Sequence, residues 1–148
     1  MCCNTKEKIA LAVKELMRQK SIRKITVQDI MEETGMKRQS FYYHFQDLYE
    51  VKDWINSSFE VVEVRDYLRH PKPSGYRSLH VIIKVDGCFV EIQVRTIALD
   101  FWANLEHQIH YKKDVEDEKL IRSELKRCAD EIASLDLSFQ TIKDRIEG

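Results

Sequence analysis

Apolar residues recur at helical spacing in the front third of the chain, alternate at strand spacing in the middle, and return to helical spacing at the end. Ile9, Ala12, Val13, Leu16 and Met17 share one helix face, with Thr5 placed to cap it. After a break at residues 21–24, Thr26 opens a second helix whose core face is Val27, Ile30 and Met31, with Asp29 in a capping-box position. Gly35 ends it, and a short third helix over residues 40–45 is anchored by Phe41 and Phe45. A fourth helix starts near Asp47. Residues 59–64 are β-branched and read as a strand, then residues 71–75 form a turn-rich loop. Residues 79–85 and 88–94 read as two strands joined by the hairpin dipeptide Asp86-Gly87. A helix follows over 97–113, and a charged helix runs from Asp114 to Glu147. The pattern predicts an α+β fold: a three- to four-helix helix-turn-helix bundle over residues 1–56, then a truncated mixed sheet with packed helices and a long C-terminal helix over 57–148.

In the last helix Ile121, Leu125, Cys128, Ile132, Leu135, Phe139, Ile142 and Ile146 alternate spacings of four and three. Such a seam packs on the chain's own sheet or pairs with a second copy, and packing is the expectation because the apolar strand face needs cover. Composition adds little: 43% hydrophobic and 33% charged residues with four Gly suit a helix-rich globular chain. Net charge is −1, but residues 1–58 carry ten Lys and Arg against eight Asp and Glu, and the rest fourteen against seventeen. The slightly basic front agrees with nucleic-acid contact there. Cys2, Cys3, Cys88 and Cys128 lack metal-ligand spacing and read as reduced thiols of a cytoplasmic protein, with Cys88 and Cys128 as small hydrophobes. No apolar run reaches the roughly 18–20 residues of a membrane span, so no membrane partner is expected.

A short helix, a glycine turn and a second helix opening on cations and hydroxyls form a helix-turn-helix pattern. Its groove-facing set would be Lys37, Arg38, Gln39 and Ser40, then Tyr42, Tyr43 and His44. A small bundle with solvated cations has the same spacing. Thr26-Val27-Gln28-Asp29-Ile30, Gly35 and Ser40-Phe41-Tyr42-Tyr43-His44-Phe45 resemble the DNA-binding domain of TetR-family repressors over about residues 4–56. The resemblance implies that Thr26 and the tyrosines hold phosphates of double-stranded DNA and that Lys37 to Gln39 read bases. Asp47 and Leu48 stand where that family has a phosphate-binding Lys.

In the middle of the chain, period two puts Cys88, Val90, Ile92 and Val94 on one strand face and Glu91, Gln93 and Arg95 on the other. Three polar groups in a row line a site or face water. Asp100, Asn104, His107 and Tyr111 make a polar stripe on the next helix beside an apolar one of Phe101, Leu105 and Ile109. These segments resemble the synthetase domain of RelA/SpoT proteins, and among them the small alarmone synthetases, over about residues 60–148. The motifs are Asp66-Tyr67, Pro71-Lys72-Pro73-Ser74-Gly75-Tyr76-Arg77-Ser78-Leu79-His80, Glu91-Ile92-Gln93-Val94-Arg95-Thr96 and Phe101-Trp102-Ala103-Asn104-Leu105-Glu106-His107 with Tyr111-Lys112.

That resemblance implies transfer of pyrophosphate from ATP to the ribose 3′-hydroxyl of GTP or GDP. Tyr76 would stack on guanine, and Lys72, Ser74 and Arg77 would surround the GTP phosphates. Glu91 would assist Mg²⁺ and activate the hydroxyl, supported by Gln93 and Arg95, while Asp100 and His107 complete the guanosine pocket. The resemblance also implies a preceding strand with a metal-binding Asp and a cationic ATP segment, and residues 1–56 offer neither. The expectation is therefore a fusion in which the donor half and ATP binding are lost, synthesis with them, and binding of GTP or GDP remains. The alternatives are a TetR-like regulator whose C-terminal part senses a ligand or dimerises through the last helix, and an inactive recombinant or gene-model artefact.

Overall fold

The computed structural model of the chain describes residues 4–19, 27–37, 47–112 and 115–148. They belong to two compact units: Met1–Glu63 with Ile82–Ile92, and Val64–Val81 with Gln93–Gly148.

In the first unit, α1 spans Thr5–Gln19, α2 Val27–Thr34 and α3 Leu48–Ser58. Asn4, not Thr5, caps α1: its side chain accepts from the Lys6 amide at 3.3 Å while its own amide donates to Glu7 at 3.2 Å. Thr5 is already the first helical residue. The expected periodicity holds, since Ile9, Val13, Leu16, Ile30 and Met31 form one buried cluster. Trp54 and Phe59 pack against it and meet each other edge to face, 6.1 Å between centroids. Burying each of these side chains contributes on the order of 1.5–3 kcal/mol before the entropy of ordering them. Gly35 closes α2 at φ +67°, a conformation that a Cβ makes costly. Asp47 caps α3 by accepting from the Glu50 amide at 2.7 Å. The break at 21–24 and the third helix over 40–45 lie outside the described residues.

Strands β1 (Glu60–Asp66), β2 (Leu79–Val85) and β3 (Cys88–Val94) form an antiparallel sheet in the order β1-β2-β3. The β2–β3 hairpin turns on Asp86 and Gly87, both at positive φ (49° and 82°), as a two-residue primed turn requires. Leu79, Val81 and Ile83 are completely buried, so β2 is the core strand. Cys88 is exposed at the start of β3, contrary to its expected role as a small hydrophobe: an edge strand is covered progressively, and only Val94 at its far end is buried. Cys128 is half-buried.

In the second unit Thr96 caps α4 (Ile97–Tyr111), accepting from Leu99 at 3.2 Å and donating to Asp136 at 2.7 Å. The anchor of α4 is buried Trp102, whose indole N–H reaches the Leu125 carbonyl at 2.6 Å. Phe101, assigned to the apolar stripe, is exposed, and Leu105 and Ile109 are half-buried. The final helix, α5 (Glu118–Glu147), packs against α4. Ala129 is fully buried, while Leu135, Phe139, Ile142 and Ile146 further along the seam are exposed. The pattern predicts packing on the sheet; the packing observed is against α4, with the end of the seam exposed. Among the described residues no helix is long and apolar enough to cross a membrane.

Candidate functional site

Proline at positions 71 and 73 and glycine at 75 shape the loop between β1 and β2, and two features pin it. Gly75 lies at φ +96°, and a Cβ there would come within 3.0 Å of the Ala129 Cβ and 3.3 Å of the Lys126 Cα. Only glycine satisfies both the dihedral and the approach to α5. Arg77 then ties the loop to α5 by an ion pair to Asp130 at 3.0 Å and reaches the Leu68 carbonyl at 3.5 Å. Its Nε is buried without a hydrogen-bond partner.

On this frame four aromatic residues converge. The Tyr76 ring meets Tyr67 at 6.1 Å, His80 at 5.8 Å and Trp102 at 6.4 Å, the first two edge to face, and Tyr67 meets His80 at 5.1 Å. The Lys72 ammonium sits 4.9 Å from the Tyr67 ring centre and 5.0 Å from that of Tyr76. The aromatic rings hold this cation without neutralising it, so its charge remains available to an anion. Arg95, just past β3, is largely buried and connects the group. It donates to the Tyr76 hydroxyl at 3.3 Å and to Gln93 at 2.9 Å, and it pairs with Asp100 at 3.0 Å. A cavity of about 520 Å³ opens beside these residues, lined by Lys72, Ser74, Tyr76, His80 and Gln93. Its other wall is Glu106 and His110 of α4 and Arg122 of α5. An aromatic platform ringed by cations and hydrogen-bonding groups can take a flat heterocycle carrying phosphates.

The structure brings Lys72, Ser74, Tyr76 and Gln93 to the cavity. It places Arg95 and Asp100 behind Tyr76 as an ion pair, and it engages Arg77 with α5. His107 is exposed, 4.5 Å from the Tyr111 ring, and does not line the cavity. Glu91 lies two residues before Gln93 on β3 and is exposed, in the other compact unit. Sequence reasoning gave no role to Tyr67, His80 and Glu106, which stand in its motifs, and missed His110 and Arg122. Glu106 and His110 are spaced i, i+4, a visible signal, but the stripe chosen was the one carrying His107. Lys37 is exposed beyond α2, while Thr26, Arg38, Gln39, Ser40, Tyr42, Tyr43 and His44 lie outside the described residues. In the first unit a second cavity of about 250 Å³, lined by Lys14, Arg18, Phe59, Lys84 and Asp86, gathers none of the expected site residues. Its Arg18 is paired with Asp86 at 3.3 Å.

Comparison with known proteins agrees with this geometry. The region found in RelA / SpoT proteins matches residues 5–116. The chain is 40% identical over 111 residues to the GTP pyrophosphokinase YwaC of Bacillus subtilis, covering 68% of this chain and 53% of YwaC. It is 30% identical over 146 residues to the GTP pyrophosphokinase YjbM of the same organism, covering 92% of this chain and 68% of YjbM. The chain thus spans about half the length of YwaC. Among solved structures, small alarmone synthetase 2 of B. subtilis superposes with a TM-score of 0.60 at 41% identity, over 67% of this chain and 59% of that one. Small alarmone synthetase 1 of B. subtilis gives 0.59 at 23% identity, over 86% and 78%, a likeness of fold. These matches take in the segment that the sequence pattern assigned to a TetR-type head. The helix-turn-helix bundle and its DNA contacts therefore find no support in them, because the same front helices align with synthetases. With its family match covering most of its length, the chain belongs to the RelA/SpoT family.

Proposed function

We propose that the cavity beside Tyr76 binds a guanosine nucleotide, GTP or GDP, as the acceptor in a GTP pyrophosphokinase-type site. The observation that carries the reading is the Tyr76 ring, held at its edges by Tyr67 and His80, with Lys72 over it and cations on the cavity wall. Tyr76 supplies the stacking face and Lys72 and Arg122 attract the 5′ phosphates. Arg95, bound to Asp100 and Gln93, keeps the tyrosine hydroxyl in place. The reaction class is transfer of a pyrophosphoryl group from ATP to the ribose 3′-hydroxyl, with Glu91 as the base that takes the hydroxyl proton.

A magnesium ion at Glu91 would neutralise charge developing on the transferred phosphates. Among the described residues no group of three His, Cys, Asp or Glu could hold a metal, so Glu91 would be its one protein ligand there. Among the described residues no strand precedes Glu60 to present a second metal carboxylate. We therefore expect nucleotide binding to outlast synthesis: the protein binds GTP and forms little or no (p)ppGpp from ATP, GTP and Mg²⁺. Each missing positioning group lowers the rate about 100-fold. Product formed at a rate that Glu91→Gln abolishes would overturn the expected loss and leave the acceptor site standing.

A second reading, a DNA-binding front segment, is favoured by one observation: α2 ends at left-handed Gly35 in front of exposed Lys37. It predicts a salt-sensitive shift of double-stranded DNA that Arg38→Ala weakens. Unchanged DNA mobility at low salt rejects it. Self-association through the exposed end of α5 belongs to the same reading, since a helix-turn-helix protein gains affinity by binding two half-sites as a dimer.

A further inference from the structure

The Tyr76 hydroxyl has two partners of different kinds, and together they determine where its hydrogen lies. Arg95 Nη1, at 3.3 Å, can only donate. His80 Nε2, at 2.8 Å, is the shorter contact and can accept when that nitrogen carries no proton. With one lone pair of the phenol oxygen directed at Arg95, the hydroxyl hydrogen is free to point at His80.

We propose that His80 is a positioning residue: neutral, protonated on Nδ1, it accepts the Tyr76 hydroxyl hydrogen and so fixes the plane on which the guanine stacks. The inference rests on the reading that a purine stacks on Tyr76. His80 is 7% exposed, on the sheet strand β2, and its ring is braced edge-on by Tyr67 at 5.1 Å. It is therefore stiff enough to orient a partner. Tyr76 comes from the loop, and its hydroxyl is directed by His80 and Arg95. Tyr67 completes the brace by meeting both rings and carrying Lys72.

Most charged groups around the ring are cationic. Lys72 comes from the loop, Arg95 from beyond β3 and Arg122 from α5, all cationic, while Glu106 and His110 face the cavity from α4. Asp100 is engaged by Arg95, and Gln93 carries no charge. Protonating Nε2 would aim a second N–H at the phenol oxygen beside Arg95 and add a positive charge near Lys72 and Arg95. The hydrogen would have to turn away and the ring would lose its lock.

The test uses the full chain, with GTP and GDP as probes. His80→Phe keeps the ring against Tyr67 and removes the acceptor. Affinity should fall about three- to tenfold at pH about 7.5, the range one neutral hydrogen bond supports. His80→Gln, which returns an acceptor oxygen near the Nε2 position, should recover most of that affinity. In a Tyr76→Phe background His80→Phe should add no further loss; an equal loss there would overturn the proposal. Nitrogen NMR of the unliganded wild-type protein supplies a readout independent of nucleotide. It should show Nε2 unprotonated at pH about 7.5, with the preference relaxed in Tyr76→Phe. A protonated Nε2 with normal GTP binding refutes the lock and leaves the proposed function standing. An unprotonated Nε2 without GTP or GDP binding refutes the proposed function and leaves the lock standing.

Discussion

In the front helices Ile9, Val13, Leu16, Ile30 and Met31 meet as side chains with no hydrogen-bonding groups, whereas around Tyr76 the ring edges, a hydroxyl and a guanidinium each have a directed partner. The first arrangement tolerates adjustment: a non-directional core can repack around a changed methyl group. The second does not, because a phenol held by Arg95 and His80 has one orientation, and moving either partner moves the ring. A helical unit of this kind is stable by volume, and a site is made by geometry. The ion pair between Lys6 and Glu50 at 3.0 Å, with the Trp54 indole donating to the Lys6 carbonyl at 3.3 Å, is the front unit's modest counterpart.

Substitutions should separate the two behaviours. Ile9→Ala removes a fully buried side chain and should lower stability by about 2–5 kcal/mol in denaturant unfolding, with the GTP affinity of the folded fraction unchanged. An equal loss of affinity would show that the two regions are not separable. Tyr76→Ala removes the stacking face and should weaken GTP by about 1–3 kcal/mol, read by calorimetry. A smaller effect than that of Ile9→Ala on affinity would invert the comparison. Gly75→Ala forces a methyl group toward Ala129 in a left-handed conformation and should cost about 1–3 kcal/mol of stability. It should also weaken GTP binding, because the loop carrying Tyr76 shifts. Arg127→Ala lies at the small end: the guanidinium bridges Glu124 and Glu131 on the exposed face of α5, which raises its pKa. Thermal unfolding should move little, as exposed pairs contribute little.

Much of the architecture was legible because its period is simple. The bounds of β2 and β3 follow from alternation and from Asp86-Gly87, and the start of α4 follows from Thr96. The cap of α1 was read one residue late because Asn4 and Thr5 are both competent caps and only the Lys6 amide chooses between them. Cys88 was misplaced because alternation says which face a residue takes, not whether anything covers it. The site was legible as motif, in Lys72, Ser74, Tyr76 and Gln93, but not as machinery. His80 alternates with buried Leu79 and Val81, and nothing in that spacing says that its ring meets Tyr76. The DNA-reading head finds no support in the family matches: a helix ending at a glycine before cations is a local pattern, and local patterns are shared by unrelated folds.

The most direct test of the account is the melting temperature of the purified protein with and without GTP, beside the same pair for Tyr76→Ala. GTP should raise the melting temperature of the wild-type protein, and the substitution should remove that rise when each protein is compared with its own unliganded value. A wild-type protein indifferent to saturating GTP, or a Tyr76→Ala variant stabilised as much as the parent, would contradict it.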